Sequence, residues 1–408
     1  MNNFEALTFL KSDSERKNLT IRGPSVLYSR QLPVITVEKM IKINWGDKRC
    51  YWLALHLIPG LGNIAFKNLL DHFGEPEQVF KAGLSDLTAL DGVRQKVARS
   101  IIGREYTADP ENILEQVEKH KARILLYSDP AYPQALRQIH DPPMVLYVKG
   151  KEIPHNLSHI AIVGSRNPTP YGLKAAEKFG QGLARRGLSV VSGMARGVDS
   201  AAHWGCLNGR GFTVAVIGTG IDIVYPGSNQ KLFQQITQKG AVISEFPLGT
   251  PPEPKNFPIR NRIISGLSMG VVVVEATKKS GSLITASLGL EQGREVFAVP
   301  GSINSFKSVG CHFLIKQGAG LVENSDDIMD QLGLNNPYAP KKDTLKETPL
   351  PPMETSEEKI YGMIGDYPTH IDQIAKQSNL EPSHVSSVLL RMELKGLITQ
   401  LPGKMFVR

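Results

Sequence analysis

Four turns along the chain combine glycine with hydroxyl or cationic side chains: Gly164-Ser165-Arg166, Ser192-Gly193-Met194-Ala195-Arg196-Gly197, Gly218-Thr219-Gly220 and Lys278-Lys279-Ser280-Gly281-Ser282. Glycine lets a backbone come close to a ligand, exposed N–H groups and helix N-termini favour anions, and Arg166 and Arg196 add forked cationic donors. The chemistry these residues suit is the holding of phosphate or carboxylate groups. A fifth segment, Pro251-Pro252-Glu253-Pro254-Lys255-Asn256-Phe257-Pro258-Ile259-Arg260-Asn261-Arg262, sets one aromatic ring among a lysine and two arginines in a proline-stiffened loop. A ring for stacking beside a cationic track is the way single strands are held. Lys255, Phe257 and Arg260 therefore join Gly164, Ser165, Arg166, Arg196, Gly197, Ser280, Gly281 and Ser282 as candidate contacts. The competing reading is that the ring plugs the core and the arginines pair with Glu245 or Glu275. It is preferred for Asn261 and Arg262, which would point into the domain from a helix start.

Other chemistries find no support. No GxGxxG follows the first strand, no acid closes the second where a ribose hydroxyl would be read, and no Gly-Lys-Ser/Thr follows any glycine turn, so no nucleotide cofactor is expected. Cys50, Cys206 and Cys311 are far apart and odd in number, which encodes neither a disulfide scaffold nor a zinc site and fits a reducing cytoplasm. No apolar run approaches the roughly 20 residues of a membrane helix; the run 270–276 has only strand length. A balance of 47 Lys+Arg against 39 Asp+Glu, a net charge of +8, favours an anionic partner.

The elements that must position these turns are legible in the periodicity. Short β-branched runs at 159–163, 188–191, 213–217, 241–244, 270–275 and 295–299 alternate with helical patterns at 171–186, 199–208, 228–239, 260–267 and 281–292. Continuous apolar strands separated by helices indicate a Rossmann-like α/β domain, a doubly wound parallel sheet over 158–334. In such sheets ligands bind beyond the C-terminal ends of the strands, where the glycine turns fall. Upstream, residues 1–48 read as a flexible leader, with a start of translation near Met40 as the alternative; no secretion-signal pattern is present. Residues 49–111 hold two helix–glycine turn–helix units, at Ile58-Pro59-Gly60-Leu61-Gly62 and Asp91-Gly92-Val93, which resemble helix-hairpin-helix repeats. Such hairpins grip DNA phosphate or serve as a small helical packing domain, and Asp91 at the second tip weakens the former reading. Residues 112–157 read as a connector made of a helix, a short strand at 123–127 and a proline-rich crossing; if the α/β block carries the binding, 112–334 should suffice for it. Residues 335–355 read as a linker and 356–408 as a winged helix. Its recognition helix, 382–395, offers His384, Arg391 and Lys395 against Glu381 and Glu393, a poor phosphate surface.

Several blocks in order resemble one family closely. Ile160-Ala161-Ile162-Val163-Gly164-Ser165-Arg166, Ser192-Gly193-Met194-Ala195-Arg196-Gly197-Val198-Asp199, Phe257-Pro258-Ile259-Arg260-Asn261-Arg262-Ile263-Ile264-Ser265-Gly266 and Ser280-Gly281-Ser282-Leu283-Ile284-Thr285-Ala286 look like the signature blocks of the DNA-processing protein A (DprA/Smf) family. The resemblance implies a cytoplasmic, homodimeric protein that binds single-stranded DNA and loads the RecA recombinase during natural transformation, without catalysis. It also implies that Gly164, Ser165 and Arg166 grip phosphate, with Lys255 and Phe257 beside them. A rival resemblance is to the LOG phosphoribohydrolases, which cleave nucleotide N-glycosidic bonds through a PGGxGTxxE motif. Laid over 280–288, that motif puts Ile284 at the third glycine and Leu288 at the essential glutamate. Asp199, His203 and Glu245 lie near strand ends, where cap and packing roles are expected of them.

Overall fold

The computed structural model describes residues 46–334, 353–365 and 368–408. The expected leader and linker lie outside these residues except at their C-terminal edges, as does Met40. Nine strands form one sheet: β1 (Arg123–Leu126), β2 (Val145–Gly150), β3 (His159–Gly164), β4 (Ser189–Ser192), β5 (Thr213–Val216), β6 (Ala241–Ser244), β7 (Gly270–Val274), β8 (Glu295–Ala298) and β9 (Gly320–Leu321). Their order is β1-β2-β6-β5-β4-β3-β7-β8-β9, parallel from β6 through β9. The chain winds outward from β3 in one direction through β4, β5 and β6, then returns to lay β7 on the other side of β3. The boundary between β3 and β7 is thus the switch point of a doubly wound sheet, the place where two crossovers part and leave a crevice.

Period-two alternation explains why both faces are covered. Ile160 and Ile162 of β3, with Val272 and Val274 of β7, meet Phe179, Leu183 and Ala202 from the helices Pro170–Arg185 and Val198–Asn208. Ala161, Val163, Val271 and Val273 point the other way, against Ile263, Ile264 and Leu267 of the helix Asn256–Leu267 and Ala286 of Gly281–Glu291. With every strand residue of β7 buried, no polar face is left to show, so the sequence runs apolar without a break.

Two features differ from expectation. The short strand expected at 123–127 is β1, but the proline-rich remainder of 112–157 also holds β2; β2 pairs antiparallel with β1 and with β6, so this stretch extends the sheet, which is mixed at that edge. The helical repeats are also not a separate body. Leu53, Leu57, Phe66 and Leu69 share one cluster with Tyr147 of β2, Ala215 of β5, Val242 of β6 and the following Ile217. The C-terminal unit has its own core: Ile360, Ile374, Val388, Leu389, Met392 and Phe406 join the helices Thr355–Met363, Ile371–Ser378 and Pro382–Leu394 to the small sheet of β10 (Thr369–His370), β11 (Thr399–Leu401) and β12 (Met405–Val407).

Candidate nucleic-acid interface

The end of β3 is shaped by what its neighbours leave room for. Gly164 pairs with Val274 across the switch point, and a Cβ there would collide with the Val274 carbonyl and the Val198 side chain. Only glycine fits, and the chain then turns outward so that Arg166 is exposed. Val198 N–H donates to the Ser165 carbonyl, 3.1 Å, and Ser165 Oγ accepts from Asn167 N–H, 3.2 Å, which fixes the turn. Gly197, at φ +83°, lets the β4 turn pass against it; a Cβ there would strike the Ser165 carbonyl and the Arg166 backbone.

Phe257 lies in the first turn of the helix Asn256–Leu267, which starts four residues before the expected Arg260. Its ring is half-buried: it rests close to Gly218 at the end of β5, the Arg166 guanidinium carbon stands 5.5 Å from its centroid, and the Tyr225 ring lies 5.6 Å away at 35°. One side covers the sheet end while the other borders a cleft of about 850 Å³, whose lining includes Gly164, Ser165, Arg166, Tyr225, Phe257, Ser280, Gly281 and Ser282. Ser280 caps the helix Gly281–Glu291, its Oγ accepting from Ser282 N–H at 3.4 Å and lying 2.8 Å from Ser282 Oγ. Gly281 beside it faces open space, so the positive end of an 11-residue helix opens on the cleft.

The remaining expected contacts separate. Arg260 is turned inward at 4% exposure, where the expected contact would have it free: its Nη1 donates to the carbonyls of Gly193, 2.8 Å, and Val216, so it pins the ends of β4 and β5 together. Burial lowers its pKa to about 10, which still leaves it charged at neutral pH, and it forms part of the cleft wall rather than a free phosphate clamp. Arg196 is exposed but lines a neighbouring groove of about 430 Å³ with Gly197, Leu173 and Trp204. Lys255 occupies the N-cap position without a side-chain capping bond, its side chain 75% exposed and its Nζ 2.7 Å from Glu253 Oε2. Arg262 is buried against Glu245 and, at 3.0 Å, Asp141, as the pairing reading expects. Sequence reasoning missed Tyr225, Phe306 and Lys307 in the cleft lining; an aromatic–lysine pair inside the polar run 301–308 was the available signal.

The acids near the strand ends are committed to the scaffold. Asp199 accepts from Gly193 N–H at 3.2 Å and Ala195 N–H at 3.3 Å; burial pushes its carboxyl up, and the Arg260 guanidinium opposes that rise. Glu275 accepts from Thr169 N–H at 2.8 Å and from the Thr169 hydroxyl, at the N-terminus of the helix Pro170–Arg185. His203 is fully buried. Among the described residues no group of three or more His, Cys, Asp or Glu is placed to hold a metal ion, and no helix is long and apolar enough to cross a membrane.

Residues 123–333 match the family described as DNA recombination-mediator protein A, and residues 344–404 match the DprA winged helix domain. The protein Smf of Synechocystis sp. is 36% identical over 396 residues, which span 89% of this chain and 99% of that protein. The DNA processing protein DprA of Streptococcus pneumoniae is 39% identical over 270 residues, 66% of this chain and 93% of its own. The solved X-ray structure of DprA from the same organism is similar with a TM-score of 0.62 and 38% identity, covering 70% of this chain and 97% of that one. Since the first match alone takes in half of the chain, including the whole switch-point cleft, the chain belongs to the DNA recombination-mediator protein A family, the DprA/Smf proteins.

Proposed function

We propose that this protein binds single-stranded DNA along the cleft at the β3–β7 switch point, shields incoming strands, and passes them to the RecA recombinase in natural transformation. It acts as a cytoplasmic homodimer and without catalysis. The observation that carries the DNA-binding reading is the placement of exposed Arg166 over Phe257 beside the open N-terminus of the helix Gly281–Glu291. A cation, a ring and a ring of backbone donors address phosphate and base face together, and a base face is available only where the strand is unpaired. Gly164, Ser165, Arg166, Ser280, Gly281 and Ser282 form the phosphate track, Phe257 the platform, and Lys255, Arg196 and Gly197 its outer margin. The absence of catalysis is supported by Asp199, Glu245 and Glu275, whose carboxylates are bound by backbone N–H groups, Arg262 and Thr169 respectively. RecA loading, transformation and dimerisation are supported by the family resemblance.

The test is fluorescence anisotropy with a single-stranded oligonucleotide, the matching duplex and AMP over a salt series. Preference for the single strand without strict sequence dependence is expected, because the cleft carries no array of base-reading amides. Equal affinity for a blunt duplex would overturn the reading, and release of free base from AMP would put a glycosidase in its place. Light scattering of the free protein tests the dimer.

A further inference from the structure

The loop 301–308, between β8 and the helix Val309–Lys316, carries two apolar side chains in open water: Ile303 is 88% exposed and Phe306 70%. A lone exposed apolar side chain needs no explanation, but Phe306 is not alone. It lines the same cleft as Phe257, Tyr225 and Ile284, of which Tyr225 is 45% exposed. The loop is also held. Tyr171 donates its hydroxyl to the Pro300 carbonyl at 2.7 Å, His312 Nε2 lies 3.0 Å from the Gly301 carbonyl, and Lys307 Nζ donates to the carbonyl of Asn167, next to Arg166. Each end of the loop is thus fastened to the scaffold while the Phe306 ring stays in solvent, with the Lys307 ammonium 5.9 Å from its centroid.

We infer that Phe306 is a second stacking platform for a base of the same strand, so that single-stranded DNA runs across the sheet edge from the β5 end over Arg166 to the β8 end. This rests on the proposed DNA-binding role of the cleft. Phe257 sits against Gly218 at the end of β5, two strands from β3 on one side, and the Phe306 loop follows β8, two strands from β3 on the other. The two segments leave the sheet four strands apart, and both reach the β3 end: the Phe257 ring stands 5.5 Å from the Arg166 guanidinium carbon, and Lys307, next to Phe306, is bonded to the Asn167 carbonyl. Between them lie the Arg166 turn and the N-terminus of the helix Gly281–Glu291, which address phosphate. Platform, phosphate track and platform in that order would hold a strand by both ends of the cleft and leave its sequence free, since every base has a face to stack.

The test uses the full chain and its Phe306→Ala, Phe306→Leu and Phe306→Tyr variants, with an oligo-dT of about 16 nucleotides and the same backbone made abasic. Phe306→Ala and Phe306→Leu are expected to weaken oligo-dT by about five- to 150-fold, while Phe306→Tyr retains affinity. The salt dependence and the affinity for the abasic strand should not change, and the melting temperature should hold because the ring is exposed. If Phe306→Ala binds oligo-dT as tightly as the parent while Arg166→Ala and Phe257→Ala bind it weakly, the second platform is wrong and the cleft reading stands. If none of the three weakens binding, the cleft reading itself falls. A Phe306→Ala variant with parental DNA affinity but an altered mass in light scattering would make the ring a contact between copies and overturn the inference.

Discussion

Arg166 and Phe257 lie against each other, yet they should fail in different ways when removed. Arg166 is exposed at a turn that only glycine can make, so its replacement by Ala costs charge and little structure. For single strands, each lost phosphate contact should flatten the slope of log K against log salt by about 0.7. Phe257→Ala should keep that slope, because stacking releases few ions, and weaken binding by about 1–3 kcal/mol per stacked base. A Phe257→Ala variant that mainly melts earlier and spares affinity would assign the ring wholly to covering Gly218. What the sequence shows at this scale is residue type; what it hides is direction. Asn256 and Arg260 are one helical turn apart and both buried, Asn256 Nδ2 donating to the Gly218 carbonyl at 3.2 Å as Arg260 reaches for Val216 and Gly193. That i, i+4 relation becomes visible only when the helix is started at Asn256, and a start at Arg260 leaves the guanidinium looking free.

The six central strands are legible because each is buried on both faces, and most of the helices after them carry one apolar stripe; Gly281–Glu291 instead buries Ser282, Thr285, Ala286 and Gly289 and leaves Ile284 and Leu290 exposed. Strand β2 is less legible: β1 reads as a short strand, but the proline-rich turns that follow it make the arm of the sheet that ends in β2 look like a connector. Burial also places two histidines where no pattern would. His159 opens β3 and His203 sits within the helix Val198–Asn208; burial lowers their pKa values to about 4 and about 3. Thr213 Oγ1 spends its proton on the Val190 carbonyl, 2.8 Å, so His203 Nδ1, 2.7 Å away, is the donor and the imidazole is neutral. Because the unfolded chain takes up these protons near pH 6.5 and the folded chain refuses them, the stabilisation is complete above that pH and is lost as pH falls. From pH 6.5 to 5 each group should cost about 1.6 kcal/mol of unfolding free energy. Urea midpoints measured over that range should decline, and His203→Asn, whose amide can replace the Nδ1 donor, should reduce the slope by about one proton. An unchanged slope in that variant would show that His203 does not set the acid limit.

At the scale of the molecule, the question is which parts can be removed. The repeats at the N-terminal side look separable in sequence, since a glycine turn recurs and a proline-rich stretch follows. Their core is nevertheless the core of the sheet: a cut at residue 112 would uncover Tyr147, Ala215, Ile217 and Val242 and discard Leu53, Leu57, Phe66 and Leu69. At roughly 1.5–3 kcal/mol for each large apolar side chain, that loss rivals the stability of an entire domain. The piece 112–334 should therefore melt far below the parent, and loss of DNA binding in it would reflect unfolding. The winged helix is the opposite case. Its core is its own, and the cations of its recognition helix are engaged: Lys395 Nζ stands 2.7 Å from Glu357 Oε2, and Arg391 Nε 3.7 Å from Glu357 Oε1. Deleting residues 353–408 should leave the melting temperature of the remaining domain and most of the affinity for single strands intact, as read by anisotropy at fixed salt. Near-complete loss of binding with an unchanged melting temperature would move the DNA site to the C-terminal unit, and would require the Lys395–Glu357 pair to open for phosphate.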